Sequence, residues 1–178
     1  MTEEQTSKAD FAKIKLLICD VDGVLTDGTS LFDENGVCSM RFSIVDGLGL
    51  ILVQEAGVQV AVMTTSDNPI IRSRVGRLRV KHYYPGVFDK GSFLPELCEK
   101  VGVSPEETAY ISDDINDCEA LTQVGLPIAV NTARKEVIAL AKYRTDAPGG
   151  RGAVREVCDA LIEARGLDPV ELWKQASS

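Results

Sequence analysis

The stretch from Leu16 to Gly28, LLICDVDGVLTDG, constrains the chain more than any other. It opens with an apolar run of strand length and ends in two aspartates spaced two apart. Side chains at i and i+2 of a strand point the same way, so Asp20 and Asp22 lean to one side where the strand runs out. Paired carboxylates raise each other's pKa, which calls for a cation or a chemical task. A solvated strand end is the plainer reading, and the pair alone does not decide between the two.

Downstream the rhythm continues. Apolar runs at 58–63, 81–84, 108–111 and 127–130 alternate with helical stretches at 47–55, 69–78, 91–101, 116–124 and 134–141. This alternation predicts an α/β fold, doubly wound in the Rossmann manner around a mainly parallel sheet. Asp67-Asn68-Pro69 reads as a helix start, and Gly125 followed by Pro127 as a helix stop. Between the first strand and first helix, TSLFDENGVCSMRFS carries two alternating runs around Asn35-Gly36, a turn signal that predicts a β-hairpin flap. The stretch Gly149-Gly150-Arg151-Gly152 leads into an amphipathic helix at 153–165 and a shorter one at 169–175, so 148–178 reads as a tail with helices. Residues 1–13 are expected to be a loose terminus. No connection is long enough for a second domain, so one domain is expected over 1–178.

Composition narrows the partners. With 178 residues, 44% of them hydrophobic, there is enough apolar material for a core. A formal net charge of −8 leaves no basic patch to neutralise phosphates in number, so neither nucleic acid nor an anionic membrane is expected. Five scattered cysteines with no C-x-x-C pair, beside a single histidine, signal neither a zinc site nor a disulfide framework and point to the cytoplasm. No apolar run reaches the ~20 residues of a membrane span, and the first dozen residues lack a signal-peptide core.

Open α/β sheets bind ligands beyond the carboxyl ends of their strands. Those positions here carry Asp20 and Asp22, then Thr64, Thr65 and Ser66, then Ser112, Asp113, Asp114 and Asp117. Five carboxylates on one edge repel unless a cation compensates, and oxygen donors without His or Cys favour Mg2+. A carboxylate can attack phosphorus to form an aspartyl-phosphate, while a neighbour two residues on serves as general acid and then base. The transferred phosphoryl group needs positive charge and hydroxyl donors, for which Lys90 and Thr64 are candidates. No G-x-x-x-x-G-K-[ST] or G-x-G-x-x-G loop supports nucleotide binding. Plainer readings stand beside these: Lys90 as a surface lysine, Thr64 as a helix cap, Asp114 and Asp117 as helix N-terminal charges, Arg151 as part of a surface loop.

In this order, DVDGVLTDG, VMTTS, DK and ISDDIND resemble the four motifs of the haloacid dehalogenase superfamily of phosphatases. Within it the chain is similar to the small capless 3-deoxy-D-manno-octulosonate 8-phosphate phosphatase subfamily from Ile14 to about Leu167, through the hairpin followed by VDGLGL, through DDIND, VGLPIAV and GGRGAVREV. The resemblance implies Asp20 as nucleophile, Asp22 as general acid/base, and Thr64, Thr65 and Lys90 around the phosphate. It implies Mg2+ on Asp20, Asp113 and the Asp22 carbonyl, with Asp114 and Asp117 in support, and Ser66, Arg74 and Arg151 toward a phosphorylated 2-keto-3-deoxy sugar acid. It also implies a homotetramer in which hairpins pack together and a neighbouring subunit closes the site. Thr65-Ser66 stand where the family usually has Gly-Arg, or Gly-Glu in relatives acting on nine-carbon acids, and Ser112 replaces a usual Gly. Two alternatives remain at this point: a non-catalytic oligomerisation domain like that of some acylneuraminate cytidylyltransferases, and a broad-specificity phosphatase.

Overall fold

The computed structural model describes residues 8–177. In chain order the elements are α1 (Lys8–Ala12), β1 (Leu16–Cys19), β2 (Leu31–Phe32), β3 (Cys38–Ser39), α2 (Ile44–Glu55), β4 (Gln59–Met63), α3 (Pro69–Arg77), β5 (His82–Tyr84) and α4 (Lys90–Val101). There follow β6 (Thr108–Ser112), α5 (Cys118–Leu121), β7 (Leu126–Ala129), α6 (Lys135–Leu140), β8 (Tyr143–Arg144), α7 (Ala153–Ala164) and α8 (Pro169–Ala176).

Six strands pair in parallel in the order β5-β4-β1-β6-β7-β8. The chain winds outward from β1 through β4 to β5, then crosses back to β6 on the other side of β1 and winds out to β8. The reversal between β1 and β6 is the switch point where such sheets leave a crevice beyond their carboxyl ends. Asp20 follows β1 and Asp113 follows β6.

Helices cover both faces, so the central strands are mostly apolar on both sides instead of alternating. Leu17, Cys19, Val60, Val62, Ala109 and Ile111 face one layer with α1, α2, α3, α7 and α8. Leu16, Ile18, Ala61, Met63 and Tyr110 face the other with α4, α5 and α6. Every side chain of β1 is buried. At about 25 cal/mol per Å2 of apolar surface, this two-sided burial is the main force holding the crevice in place.

The flap forms where Asn35-Gly36 predicts it, with Leu31 opposite Ser39 and Phe32 opposite Cys38. Gly36 takes φ +76°, and the Asp33 carboxylate accepts from the N–H groups of Asn35 and Val37 at 2.9 and 2.8 Å. The expected doubly wound α/β sheet is present, and all its strand pairs are parallel.

Three details differ from the sequence-based expectations. A sixth strand, β8, is only two residues long on the sheet edge and carries too short a pattern to read. The helix expected at 116–124 is a 3-10 turn over Ile115–Asp117 followed by the four-residue α5. Of the terminus expected to be loose, residues 1–7 lie outside the described residues, while Lys8–Ala12 is helical because Phe11 is buried with its ring edge-on to Tyr143 at 5.2 Å. Among the described residues no helix is long and apolar enough to cross a membrane.

Candidate active site

Four segments meet beyond the carboxyl ends of β1, β4 and β6. After Asp20, whose N–H donates to the Ile111 carbonyl at 3.2 Å, the chain doubles back so that the N–H groups of Val24, Leu25 and Thr26 all converge on the Val21 carbonyl. The Thr26 hydroxyl braces this loop, accepting from the N–H of Gly23 at 3.3 Å and of Gly28 at 3.2 Å. Gly23 sits at φ +82°, and a Cβ there would lie 1.9 Å from Asp113 Oδ2, so a glycine is what lets the first loop touch the fourth.

The glycine-rich tail closes on the same loop. Gly150 N–H donates to the Val24 carbonyl at 2.7 Å, and a Cβ on Gly149 would stand 1.7 Å from the Gly23 carbonyl oxygen. The tail is held there by Asp46 of α2, whose buried carboxylate accepts from Gly152 N–H at 3.1 Å and Arg155 N–H at 2.8 Å. That carboxylate caps the positive end of α7, which has no side-chain cap of its own.

Asp20 lies at the floor, nearly buried. Lys90, the first residue of α4 and fully buried, brings its Nζ to 2.9 Å from Asp20 Oδ1 and 2.6 Å from Asp117 Oδ1. Both are ion pairs by distance, with approach angles outside those of well-formed hydrogen bonds. The same Asp117 oxygen accepts from the Tyr110 hydroxyl at 2.6 Å. Burial pushes the Asp20 carboxyl up to about 7, with Lys90 pulling it down and Asp117 pushing it up. Burial likewise lifts Asp113 to about 7, reinforced by Asp117 and Asp114. Asp22 is raised by burial against the pull of Lys90. Burial disfavours the Lys90 ammonium, but Asp20 and Asp117 outweigh it and hold its pKa above the ordinary value.

Asp20, Asp113 and Asp117 each offer a carboxylate oxygen within 4.8 Å of the others. Asp113 Oδ1 and Asp117 Oδ2 are buried with no hydrogen-bond partner. Buried acceptors left unpaired are costly, and an all-oxygen donor set of three acids suits a hard divalent cation. The residues fit Mg2+. The Asp22 carboxylate is not part of this group.

A cavity of about 420 Å3 opens above the floor, lined by Asp20, Asp22, Gly28, Thr65, Phe88, Asp113, Asp114 and Asn116. A second, of about 360 Å3, sits at the amino ends of β4 and β5 between Gln54 and His82, at the opposite end of the sheet from these acids. Thr64 is buried beside the first cavity, its hydroxyl accepting from Ser66 N–H at 3.1 Å. Asp114 caps the 3-10 turn through Ile115 N–H at 2.7 Å. Arg151 is exposed on the rim, 3.6 Å from the Asp27 carboxylate, which also pairs with Arg41. Hydrogen bonds from Thr29 and Arg41 hold Asp27 well below the usual carboxylate range.

Arg74 is placed differently from the expectation that it reaches substrate. It does not line the cavity; its guanidinium donates to the Ser43 carbonyl at 2.8 Å and lies over the Phe42 ring, tying α3 to the start of α2. Residues not singled out from the sequence include Tyr110, Asp46, Phe88 and Asn116. Tyr110 and Asp46 look like a strand aromatic and a helix first-turn acid, and only the tertiary contacts distinguish them.

This geometry is that of a haloacid dehalogenase-like hydrolase, the description of the family model that matches residues 78–155. The 3-deoxy-D-manno-octulosonate 8-phosphate phosphatase of Salmonella typhi is 40% identical over 153 residues, covering 86% of this chain and 81% of the relative. The chain belongs to the family of the 3-deoxy-D-manno-octulosonate 8-phosphate phosphatases. Among solved structures, a subfamily III A hydrolase of the superfamily from Legionella pneumophila matches with a TM-score of 0.89 and 42% identity over 96% of this chain and 92% of that one. The Moraxella catarrhalis 3-deoxy-D-manno-octulosonate 8-phosphate phosphatase, solved in complex with magnesium, phosphate and KDO, matches with a TM-score of 0.87 and 31% identity over 96% of this chain and 97% of that one.

Proposed function

We propose that the protein is a Mg2+-dependent phosphomonoesterase that hydrolyses a phosphorylated 2-keto-3-deoxy sugar acid, with the octulosonate 8-phosphate first among candidates and a nonulosonate 9-phosphate second. The observation that carries this is Asp20, held at the floor of a cavity by a buried lysine and flanked by Asp113 and Asp117 with unpaired oxygens. An oligomerisation domain has no need of that cost.

In the mechanism, an Asp20 carboxylate oxygen attacks phosphorus and the bond to the sugar oxygen breaks, that oxygen taking a proton from Asp22. Asp22 then removes a proton from water, which attacks the aspartyl-phosphate and frees inorganic phosphate and the Asp20 carboxylate. Lys90 pulls the Asp20 carboxyl back toward its ionised form against the cost of its burial, and meets the phosphoryl oxygens with Thr64 and Thr65. Asp20, Asp113 and the Asp22 carbonyl would hold Mg2+, which when bound would supply positive charge to the transferred group. Asp114 and Asp117 support that set, Ser66 and Arg151 meet the sugar acid, and Arg74 we assign to joining α2 and α3.

Residues 1–178 act as one phosphatase unit without a cap, and a homotetramer supplies the missing cover. Support for the assembly comes from the apolar side chains the flap leaves in solvent, with Leu31 and Phe32 both 69% exposed and Ile44 83% exposed at the start of α2. Five free cysteines suit a reducing compartment, and we place the protein in the cytoplasm.

The test is Mg2+-dependent phosphate release from a panel of sugar phosphates that includes both acids. Strong preference for one ester is the expected result. Weak, even release across the panel would favour a broad-specificity enzyme, and none from any ester would overturn the assignment.

A further inference from the structure

We infer that Tyr110 is a positioning residue that aims the Asp117 carboxylate at the cation site from beneath. This rests on the proposed function above, since it presupposes a divalent ion held by Asp20 and Asp113 beside the supporting carboxylate of Asp117.

Tyr110 is the largest fully buried side chain of the described residues and belongs to β6, which ends at Ser112 just before Asp113 of the site. An aromatic of that size on a two-sided sheet would ordinarily need no polar end. Here its hydroxyl finds one partner, Asp117 Oδ1, at 2.6 Å, seven residues on and across the 3-10 turn. A buried tyrosine hydroxyl that donates to a carboxylate makes a charge-assisted bond, stronger and more directional than a neutral one.

The two Asp117 oxygens have divided tasks. Oδ1 takes both the Tyr110 hydroxyl and, at 2.6 Å, the Lys90 ammonium. Oδ2 is buried and has no partner, while the carboxylate stands within 4.8 Å of oxygens on Asp20 and Asp113. The tyrosine's hydrogen bond fixes the plane of the group while the lysine adds charge to the same oxygen, and the other oxygen is left free to face the ion. Lys90 cannot do this alone, because its ammonium is shared with Asp20 and its contacts are off-axis. The tyrosine is rigid, anchored in the α4–α5 layer among Leu94, Leu97 and Leu121, and so sets the angle. Groups that orient a metal's ligands in this way change metal affinity or activity by roughly 10- to 100-fold when removed.

The substitution Tyr110→Phe deletes only the hydroxyl and keeps the ring in its packing. Mg2+ binding is measured by calorimetry on the protein without substrate, alongside kcat and KM and a double-mutant cycle with Asp117→Asn. The expected result is about a tenfold weaker Mg2+ affinity and a comparable fall in kcat with KM for the ester nearly unchanged. In the Asp117→Asn background, Tyr110→Phe should weaken Mg2+ binding by less than twofold, because the hydroxyl acts through that carboxylate. Wild-type affinity and kcat in Tyr110→Phe, or an equal loss in both backgrounds, would overturn the inference. A wild-type protein that binds no Mg2+ would instead overturn the functional reading beneath it.

Discussion

Lys90 Nζ stands 2.9 Å from the carboxylate of Asp20, and both side chains are withdrawn from solvent, at 0% and 7% exposure. A buried cation between Asp20 and Asp117 is a poor device for stability in itself, because desolvating the charges costs several kcal/mol each. It is a good device for keeping a nucleophile ionised in a closed site.

Removing that cation while leaving its partners is therefore severe. Lys90→Met should abolish phosphate release and destabilise the metal-free chain by about 3 kcal/mol in urea unfolding at pH 7.5, from the uncompensated buried carboxylates. The loss should shrink at pH 5, where Asp20 can take up a proton. An equal loss at both pH values would show that the lysine matters through packing alone.

The raised pKa values of Asp20 and Asp113, both about 7 against an ordinary 3.8, set a pH dependence. Between these limits the folded chain holds more protons than the unfolded one, so the metal-free protein loses stability as pH climbs from about 4 to about 7. Below that window both states are protonated and the penalty vanishes; above it the penalty is complete. In EDTA the Tm contributed by these groups should fall across the window, and Asp113→Asn should flatten the slope. Mg2+ binds the ionised acids, so its stabilisation should be larger at pH 8 than at pH 5. A Mg2+ effect that is larger at pH 5 would contradict the assignment of these acids to the ion.

Two glycines should respond oppositely to alanine. At Gly149 a Cβ would meet the Gly23 carbonyl oxygen at 1.7 Å, backbone against backbone, so Gly149→Ala should cost about 2–3 kcal/mol and displace the first loop, lowering kcat. At Gly76, within α3, a Cβ meets nothing within 4 Å, and Gly76→Ala should stabilise by about 0.5–1 kcal/mol with activity unchanged. Denaturant titrations of the two variants check both signs.

The flap offers a test of assembly. Phe32→Glu places a charge in the apolar patch that we assign to contacts between subunits, while the hairpin turn at Asp33 to Gly36 is untouched. Light scattering should show the tetramer replaced by smaller species, with the isolated subunit still folded and less active. A wild-type mass in the variant would remove the flap from the interface.

Five of the six strands of the main sheet, and the segments that follow them, are legible because each carries a local signal: an apolar run, then its aspartates or hydroxyls. The flap was legible through Asn35-Gly36. What could not be read were partnerships that span the chain. Asp46 caps α7 at Gly152, 106 residues away, and nothing in VDGLGL announces it. Spacing leaves Asp117 open between a supporting acid of the fourth motif and a helix N-terminal charge, and only the fold shows it fully buried between Lys90 and Tyr110. Arg74 was expected near substrate, but only the fold shows its guanidinium occupied by Ser43. Spacing encodes which residues share a strand or helix face, while packing decides what lies opposite them.

The most direct test of the central claim is to quench a turnover of the preferred ester in acid and map the phosphorylated peptide by mass spectrometry. The account predicts a phosphoryl group on Asp20, absent from Asp20→Asn and from enzyme kept in EDTA. A phosphoryl group on another residue, or steady turnover by Asp20→Asn at the wild-type rate, would contradict it.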